Sequence, residues 1–330
     1  MTVVECAGDG LARGRAHGEA ARELVRAALD RWRAACRVRS EDLVTGTGLL
    51  RAIEKTTPDL VAELRGIAEG AGAAFADVVA YNLMDEQWWY ERSGERGCSV
   101  LGVRRPGSVA LAQNMDLPSF MDGSQLVLRL LPDDGPECLV LTSAGLIGLT
   151  GINRTGVAVC VNTLLMLRHN SSGLPVAAVL RGALAQPTRA GAVSFLRSVP
   201  HASGQHYAVA DRFGMDSLEC SARGVVANDV PVHTNHPLVS EDIDPVFAAA
   251  LEREGRIADS VKRLAVLREG AGAVDPETLL ADHSAPLCVT PVPGRATQTF
   301  GSVSFELGAE PHARFRLGLP GEGLWLEPGW

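Results

Sequence analysis

The chain has no Cys-x-x-Cys pair. Its seven cysteines, Cys6, Cys36, Cys98, Cys138, Cys160, Cys220 and Cys288, are scattered and odd in number. That pattern signals neither a zinc ribbon nor a disulfide framework. Gly-x-Ser-x-Gly, Walker-type, His-Glu-x-x-His and Gly-x-Gly-x-x-Gly motifs are also missing. Their absence removes the commoner serine-hydrolase, nucleotide, zincin and dinucleotide readings. There is no basic block, and the net charge is −8, with Lys+Arg 31 against Asp+Glu 39. Nucleic acid is therefore not an expected partner. The longest apolar stretch, Leu139–Ile152, is interrupted by Thr142, Ser143 and Thr150 and is too short to span a bilayer, so no membrane partner is expected. The opening Met-Thr-Val-Val-Glu has neither a charged n-region nor a long apolar h-region. A reduced, soluble, cytoplasmic protein is the expectation. No Pro- or Ser-rich linker and no fixed-period repeat divides the chain, so residues 1–330 read as a single domain.

What is present supports a sizeable core: hydrophobic residues make up 46% and charged residues 21%. Residues 1–97 read as mostly helical. Leu24, Ala28, Trp32 and Cys36 recur at spacing four, and Thr57-Pro58 starts a helix that Gly70 and Gly72 end. Asp77–Met84 reads as a short helix. Trp88-Trp89-Tyr90 then leads into a polar segment over 91–97.

The period changes at Cys98. Residues 99–103, 109–113, 125–131 and 138–143 read as strands, and 145–151 with 157–163 continue the pattern. Helices follow over 175–186 and 188–199, then strands over 206–210 and 217–221. Pro245–Glu269 reads as one long amphipathic helix, and 299–306 with 313–319 as a hairpin. Helices first, then strands, helices again and a closing pair of strands indicate an α+β fold. Two sheets between helix layers fit that order.

The change of period falls on Arg96-Gly97-Cys98. Cysteine at a strand start suits a buried core residue. It also suits a self-made N-terminal nucleophile. Glycine lets the preceding peptide take geometries other residues avoid. Attack of the thiol on the Gly97 carbonyl, then hydrolysis, leaves Cys98 with a sulfur and an α-amine. The amine's ordinary pKa of about 7.7–8 suits a base near neutral pH.

The stretch Gly97-Cys98-Ser99-Val100-Leu101-Gly102-Val103, with Leu111-Ala112-Gln113-Asn114-Met115-Asp116 after it, resembles the isopenicillin N acyltransferase family. These are autoproteolytic cysteine N-terminal nucleophile (Ntn) hydrolases, also described as peptidase family C45. Arg13-Gly14-Arg15-Ala16-His17-Gly18 is similar to the family's Gly-x-x-His-Gly segment. Gly66-Ile67-Ala68-Glu69-Gly70-Ala71-Gly72 is similar to its Gly-Ile-Ala-x-Gly-x-Gly helix. Gly145-Leu146-Ile147-Gly148, Gly151-Ile152-Asn153, Gly156 and Asn162 resemble its central strands, and His233-Thr234-Asn235-His236-Pro237 its Thr-Asn-His segment. The set spans most of the chain in the family's order.

The resemblance implies an αββα sandwich of two antiparallel sheets between helix layers. It also implies self-cleavage at Gly97-Cys98 into an α-chain, 1–97, and a β-chain, 98–330, that stay associated. Cys98 is implied as nucleophile, Asp116 as the group orienting its amine, and Asn235 as a side-chain donor to the oxyanion. As plain structure, Asp116 and Asn235 read as turn residues. Asn114, two residues from Asp116, falls on the same face and supports the site. The family's Ile-Cys-Arg-like segment reads Leu287-Cys288-Val289 here, so its arginine is replaced by Val289, and Arg295 is the nearest substitute. Trp88, Trp89 and Phe120 are candidate pocket residues, or core. His17 is a candidate pocket residue, or a helix cap. His233 and His236 stand at metal-ligand spacing without a third ligand, so no metal is expected.

The implied reaction is hydrolysis of a linear amide in a small molecule or short peptide, or transfer of its acyl group, with hydrolysis the default. An acyl thioester is a candidate donor, and no cofactor is expected. The alternatives are a thioester-dependent acyltransferase that works uncleaved and a non-catalytic binding protein on the same fold.

Overall fold

The computed structural model describes residues 3–91, 97–283, 287–291, 296–320 and 325–330. A strand, β1 (Val3–Gly8), precedes seven helices: α1 (Gly10–Ala20), α2 (Arg22–Ala35), α3 (Ser40–Gly46), α4 (Leu49–Thr56), α5 (Pro58–Ala71), α6 (Phe75–Asn82) and α7 (Met84–Glu91). Six strands follow: β2 (Gly97–Arg105), β3 (Ser108–Pro118), β4 (Gln125–Pro132), β5 (Cys138–Ser143), β6 (Thr150–Asn153) and β7 (Ala158–Thr163). Helices α8 (Val176–Leu184) and α9 (Arg189–Ser198) lead to β8 (Gln205–Asp211), β9 (Gly214–Ser221), β10 (Gly224–Asn228) and β11 (Val232–His233). The chain closes with α10 (Pro245–Arg253), α11 (Arg256–Gly270), α12 (Pro276–Leu280), β12 (Thr297–Leu307) and β13 (Pro311–Leu317).

The strands form two sheets. One has eight strands in the order β1-β4-β5-β6-β7-β8-β9-β10, and the other five in the order β11-β2-β3-β12-β13. Period-two alternation sorts side chains to the two faces of each sheet. Along β4, Leu126, Leu128 and Leu130 pack with the helical cluster that holds Val25, Leu29 and Ile67. Val127 points the other way, to join Leu139, Leu141, Val100, Leu111, Val303 and Phe305 between the sheets. On the small sheet's outer face, Leu101, Ala112 and Val232 meet Leu264, Leu267 and Leu279 of α11 and α12. The layers are therefore helix, sheet, sheet, helix: the αββα sandwich of an α+β fold. No helix among the described residues is long and apolar enough to cross a membrane.

Three details depart from the expected pattern. Residues 1–97 contribute a strand as well as helices, and β1 pairs with β4 in parallel, so the large sheet is mixed rather than wholly antiparallel. Of the strand expected over 145–151, only its end is extended, as β6; Gly145 has φ +96 and begins a turn. The helix expected over 245–269 is broken at Gly255, which sits at φ +71, a conformation other residues avoid. The break lets α10 and α11 take different directions, and α11 lies against β2 and β11.

The two glycine-bearing segments near the N-terminus pack on each other as α1 and α5. A Cβ at Gly14 would lie 2.0 Å from the carbonyl oxygen of Glu63, and one at Gly66 would lie 2.3 Å from that of Leu11. The glycines thus allow backbone-to-backbone contact between the helices. Beside this seam Glu63 is buried between Arg13 and Arg181, accepting from both guanidinium groups. Charge and hydrogen bonds from the two arginines hold its carboxyl below the ordinary range against the opposing pull of burial.

Candidate active site

Cys98 is the second residue of β2 and is 2% exposed. Its backbone N–H donates to Oδ1 of Asn235 at 2.7 Å. Its carbonyl oxygen accepts from Nη1 of Arg263 at 2.8 Å. Nη2 of Arg263 donates to the same Asn235 Oδ1 at 2.9 Å, and Nη1 also reaches Ser99 Oγ at 3.1 Å. Asn235 Nδ2 donates to the carbonyl of Thr163 at 3.1 Å. Two donors on one side and a carbonyl on the other fix which way the amide faces. Asn235 therefore holds the Cys98 nitrogen through its oxygen, and its N–H group points to β7.

Asn235 is itself fixed from α11. Its backbone N–H donates to Ser260 Oγ at 2.8 Å, and Ser260 also binds Thr234 and His236. His233, just before, pairs with Glu219 at 2.8 Å, and Glu219 accepts backbone N–H groups of Leu238, Val239 and Ser240. The Thr-Asn-His segment is thus clamped on both sides. Neither histidine joins a metal cluster: no group of three or more His, Cys, Asp or Glu side chains is so placed among the described residues.

Asp116 lies on β3 directly opposite Gly97, and it is fully buried. Oδ1 accepts from Thr299 Oγ1 at 2.7 Å, while Oδ2 has no hydrogen-bond partner among the described residues. Burial pushes the carboxyl up to about 7, against the lowering effects of Thr299 and Arg263. A Cβ on Gly97 would lie 2.9 Å from Asp116 Oδ2 and 3.3 Å from the Arg263 guanidinium carbon. Only glycine lets both groups sit this close to the Gly97-Cys98 peptide. The register of β3 against β12 shifts between Thr299 and Gly301, opposite Asp116 and Met115. Such a bulge re-aims a side chain, and here Thr299 is the one turned onto Asp116. Val289 touches this network through its backbone, donating its N–H to Thr299 Oγ1 at 2.8 Å.

Arg263 is the site residue that sequence reasoning missed. It is 1% exposed, and its Nε pairs with Asp259 one turn back at 3.0 Å. The signal was present: Ser260, Arg263, Leu264 and Leu267 are the buried face of α11 at helical spacing. Arg295, the expected substitute for the family arginine, lies outside the described residues. Asn114 is fully buried, with Nδ2 donating to the carbonyls of Leu280 and Leu287 at 2.8 Å and Oδ1 accepting from Ser302 at 2.7 Å. It ties the segments after α12 to β3 and β12, in support of the strand that carries Asp116.

A cleft opens at Cys98, walled by Met115, Leu146, Val161 and Leu180, with Tyr81 and Asp85 also lining it. His17 is fully buried and does not line it. Its Nε2 accepts the backbone N–H of Gly145 at 3.1 Å, so His17 positions the turn that carries Leu146. An accepting ring is neutral, and burial lowers its pKa to about 4. Trp88 packs in the helical core, with Phe120 against its edge, and neither lines the cleft. Trp89 stacks on His169 at 4.3 Å within a cluster that contains Leu165, Phe247 and Leu251.

The profile of the family described as acyl-coenzyme A:6-aminopenicillanic acid acyl-transferase matches residues 103–278. That span begins after Cys98 and includes Asn114, Asp116, Asn235 and Arg263. A similar curated protein is the 40 kDa form of acyl-coenzyme A:6-aminopenicillanic-acid-acyltransferase from Emericella nidulans. It is 27% identical over 202 residues, which cover 58% of this chain and 57% of the relative. Among solved structures, a variant of conjugated bile acid hydrolase from Clostridium perfringens is 12% identical at TM-score 0.46, covering 70% of this chain and 92% of that one. Penicillin V acylase from Agrobacterium tumefaciens is 15% identical at TM-score 0.44, covering 70% and 86%. At those scores the structural likenesses carry no weight for function.

Proposed function

Since the chain belongs to the acyl-coenzyme A:6-aminopenicillanic acid acyl-transferase family, we propose that it is an amidohydrolase or acyltransferase whose nucleophile is Cys98, released by cleavage of the Gly97-Cys98 bond. The observation that carries this reading is the set of groups on the Cys98 backbone. Asn235 holds its nitrogen, Arg263 holds its carbonyl oxygen, and the Asp116 carboxyl stands at the preceding glycine.

Maturation proceeds by attack of the Cys98 sulfur on the Gly97 carbonyl. The C–N bond breaks, the Cys98 nitrogen takes the proton and a thioester forms. Water then opens the thioester, giving a Gly97 carboxylate and the Cys98 thiol. Asp116, held near 7, can carry a proton at this peptide in either direction near neutral pH. The α-chain stays bound because it supplies β1 and the helices whose core is continuous with the large sheet.

In turnover the sulfur attacks the amide carbonyl of a small-molecule or short-peptide substrate. The α-amine of Cys98, still held by Asn235, takes the thiol proton and passes it to the leaving nitrogen. Water or a second amine then accepts the acyl group, and hydrolysis is the default. The name of the Emericella nidulans relative, an acyl-coenzyme A acyltransferase, supports the acyl thioester among the candidate donors. Arg263 puts a buried positive charge on the Cys98 backbone, beside the carbonyl oxygen of Cys98 and the Asn235 amide that hold the reacting residue in place. It is a buried arginine at the site, which Val289 does not supply, and so supports the catalytic reading over a non-catalytic binding protein.

Intact mass after denaturation tests the proposal. Fresh wild-type protein should give two fragments, 1–97 and 98–330, and an acyl increment should appear on 98–330 when N-acyl amines or acyl thioesters are added. A single full-length mass with catalytic turnover retained would favour the uncleaved acyltransferase instead.

A further inference from the structure

A second, open cleft of about 540 Å³ lies where β2 and the segment entering β11 face β9 and β10. Val103, Met215, Val230 and Pro231 wall it, and Ser217 and Asn228 also line it. Ser217 and Asn228 stand directly opposite each other on β9 and β10. Opposed residues of an antiparallel pair share a face, so both side chains project to the same side of the sheet. Asn228 is only 7% exposed. Its Oδ1 accepts the backbone N–H of Val230 at 2.9 Å, while Nδ2 has no hydrogen-bond partner among the described residues. A buried amide donor without an acceptor is costly, and here it sits beside a hydroxyl at the edge of an open space.

The hydroxyl has a partner of defined polarity. Ser217 Oγ lies 2.8 Å from His206 Nε2, and His206 Nδ1 lies 3.2 Å from Asn162 Oδ1. Asn162 Nδ2 donates to the carbonyl of His233 at 3.4 Å, which turns Oδ1 toward His206. An amide oxygen only accepts, so His206 carries its proton on Nδ1. Nε2 is then bare and accepts the Ser217 hydroxyl. Burial and the His233 ring, stacked on it at 3.8 Å, keep His206 neutral. The order is that of a nucleophile, its base, and the group that fixes the base's tautomer. Asn228 Nδ2 adds a donor for charge on an attacked carbonyl.

We propose that this cleft is a second reactive site, in which Ser217 attacks the carbonyl of a small ester with an apolar acyl group. The Ser217 oxygen bonds to the acyl carbon as its proton passes to His206 Nε2, and Asn228 Nδ2 donates to the oxyanion. The bond from the acyl carbon to the alcohol oxygen then breaks, and the alcohol leaves with that proton. Water releases the acyl group as a carboxylic acid and restores the hydroxyl. Asn162 is neutral and supports an imidazolium less than a carboxylate would, and His233 covers one face of the ring. Both features limit the activation of Ser217, so the substrate class is the ester, which yields to a weaker nucleophile than an amide does. Neither Ser217 nor His206 lines the Cys98 cleft. The proposal therefore stands apart from the nucleophile proposed above.

The test uses a small alkyl fluorophosphonate, which phosphonylates activated serines, followed by peptide mapping by mass. Folded wild-type protein should carry one phosphonyl group, on Ser217, and denatured protein none. His206→Gln should slow the labelling by about a hundredfold or more, and Asn228→Leu by at least about tenfold. Hydrolysis of p-nitrophenyl butyrate should persist in Cys98→Ala and vanish when Ser217→Ala is added. Absence of the Ser217 label from folded wild-type protein overturns the proposal, and that measurement needs no variant to fold. Labelling of His206→Gln at the wild-type rate overturns it as well. So does ester hydrolysis that is lost with Cys98→Ala alone, or that survives in the double variant. The Cys98 reading is judged separately, by the masses of the fragments 1–97 and 98–330.

Discussion

The guanidinium of Arg263 donates to the carbonyl oxygen of Cys98 at 2.8 Å across 165 residues of chain, and it shares Asn235 Oδ1 with the Cys98 N–H. One side chain of α11 thus holds the Cys98 backbone and the asparagine that holds its nitrogen. Arg263→Ala should leave a buried site without its cation and lower turnover by about a hundredfold or more. Arg263→Lys keeps the charge but loses the fork that serves three acceptors, so it should recover only part of the rate. Single-turnover acylation followed by mass separates this from a folding defect, since the folded fraction can be measured on the same sample. Wild-type acylation rates in Arg263→Ala would remove the arginine from the mechanism.

Arg263 also shows where the sequence stops being legible. Glycine before cysteine drew attention to Cys98 directly, whereas Asp116 and Asn235 were named only through the resemblance that their short segments bear to a family. Arg263 sits one turn after Asp259 and reads as half of a solvated helical pair. The apolar residues Val246 and Val261 look like the buried stripe, yet they are 57% and 48% exposed. The true stripe contains Ser260 and Arg263, because α11 covers a polar site rather than a plain core. The break at Gly255 was equally hidden, since glycine within a periodic run reads as a tolerated defect. The orientation of Asn235 could not be read at all: which amide atom faces Cys98 depends on Arg263 and Thr163, which come from distant elements.

Gly97 is held to glycine by its neighbours. A methyl group there would meet Asp116 Oδ2 at 2.9 Å and the Arg263 guanidinium at 3.3 Å. Gly97→Ala should therefore slow self-cleavage by displacing both groups from the scissile peptide. Cys98→Ala should abolish cleavage and turnover together. A time course of intact mass after translation distinguishes the two: a delayed appearance of fragments for Gly97→Ala, and none at any time for Cys98→Ala. Cleavage of Gly97→Ala at the wild-type rate would show that the close approach is not needed.

The seam of α1 and α5 gives a prediction about stability alone. At Gly14 the nearest atoms to a new methyl group are backbone atoms of Glu63 and Gly66, which cannot rotate away. Gly14→Ala should push the helices apart and cost about 1–3 kcal/mol. It should also disturb the Arg13–Glu63–Arg181 cluster at the same seam. Chemical denaturation of the purified protein reads the loss. Unchanged stability would mean that the seam can open without penalty.

Asp116 sets function against stability through its protonation. Its carboxyl titrates near 7 in the fold, because burial disfavours the charge, and near 3.8 when unfolded. Between those values the folded state holds a proton that the unfolded state has released. Stability therefore falls as pH rises from about 4 to 7 and levels off above, by up to roughly 4 kcal/mol. Asp116→Asn removes the titration and can still accept from Thr299. The variant should match the wild type near pH 4 and exceed it increasingly toward pH 8, while self-cleavage is strongly slowed. Comparison with uncleaved Cys98→Ala, alone and combined with Asp116→Asn, keeps chain cleavage out of the measurement. Unfolding midpoints at several pH values read the difference directly. A constant offset between the two proteins across that range would mean that Asp116 is already ionised in the fold, and it could not then supply a proton at the Gly97-Cys98 bond.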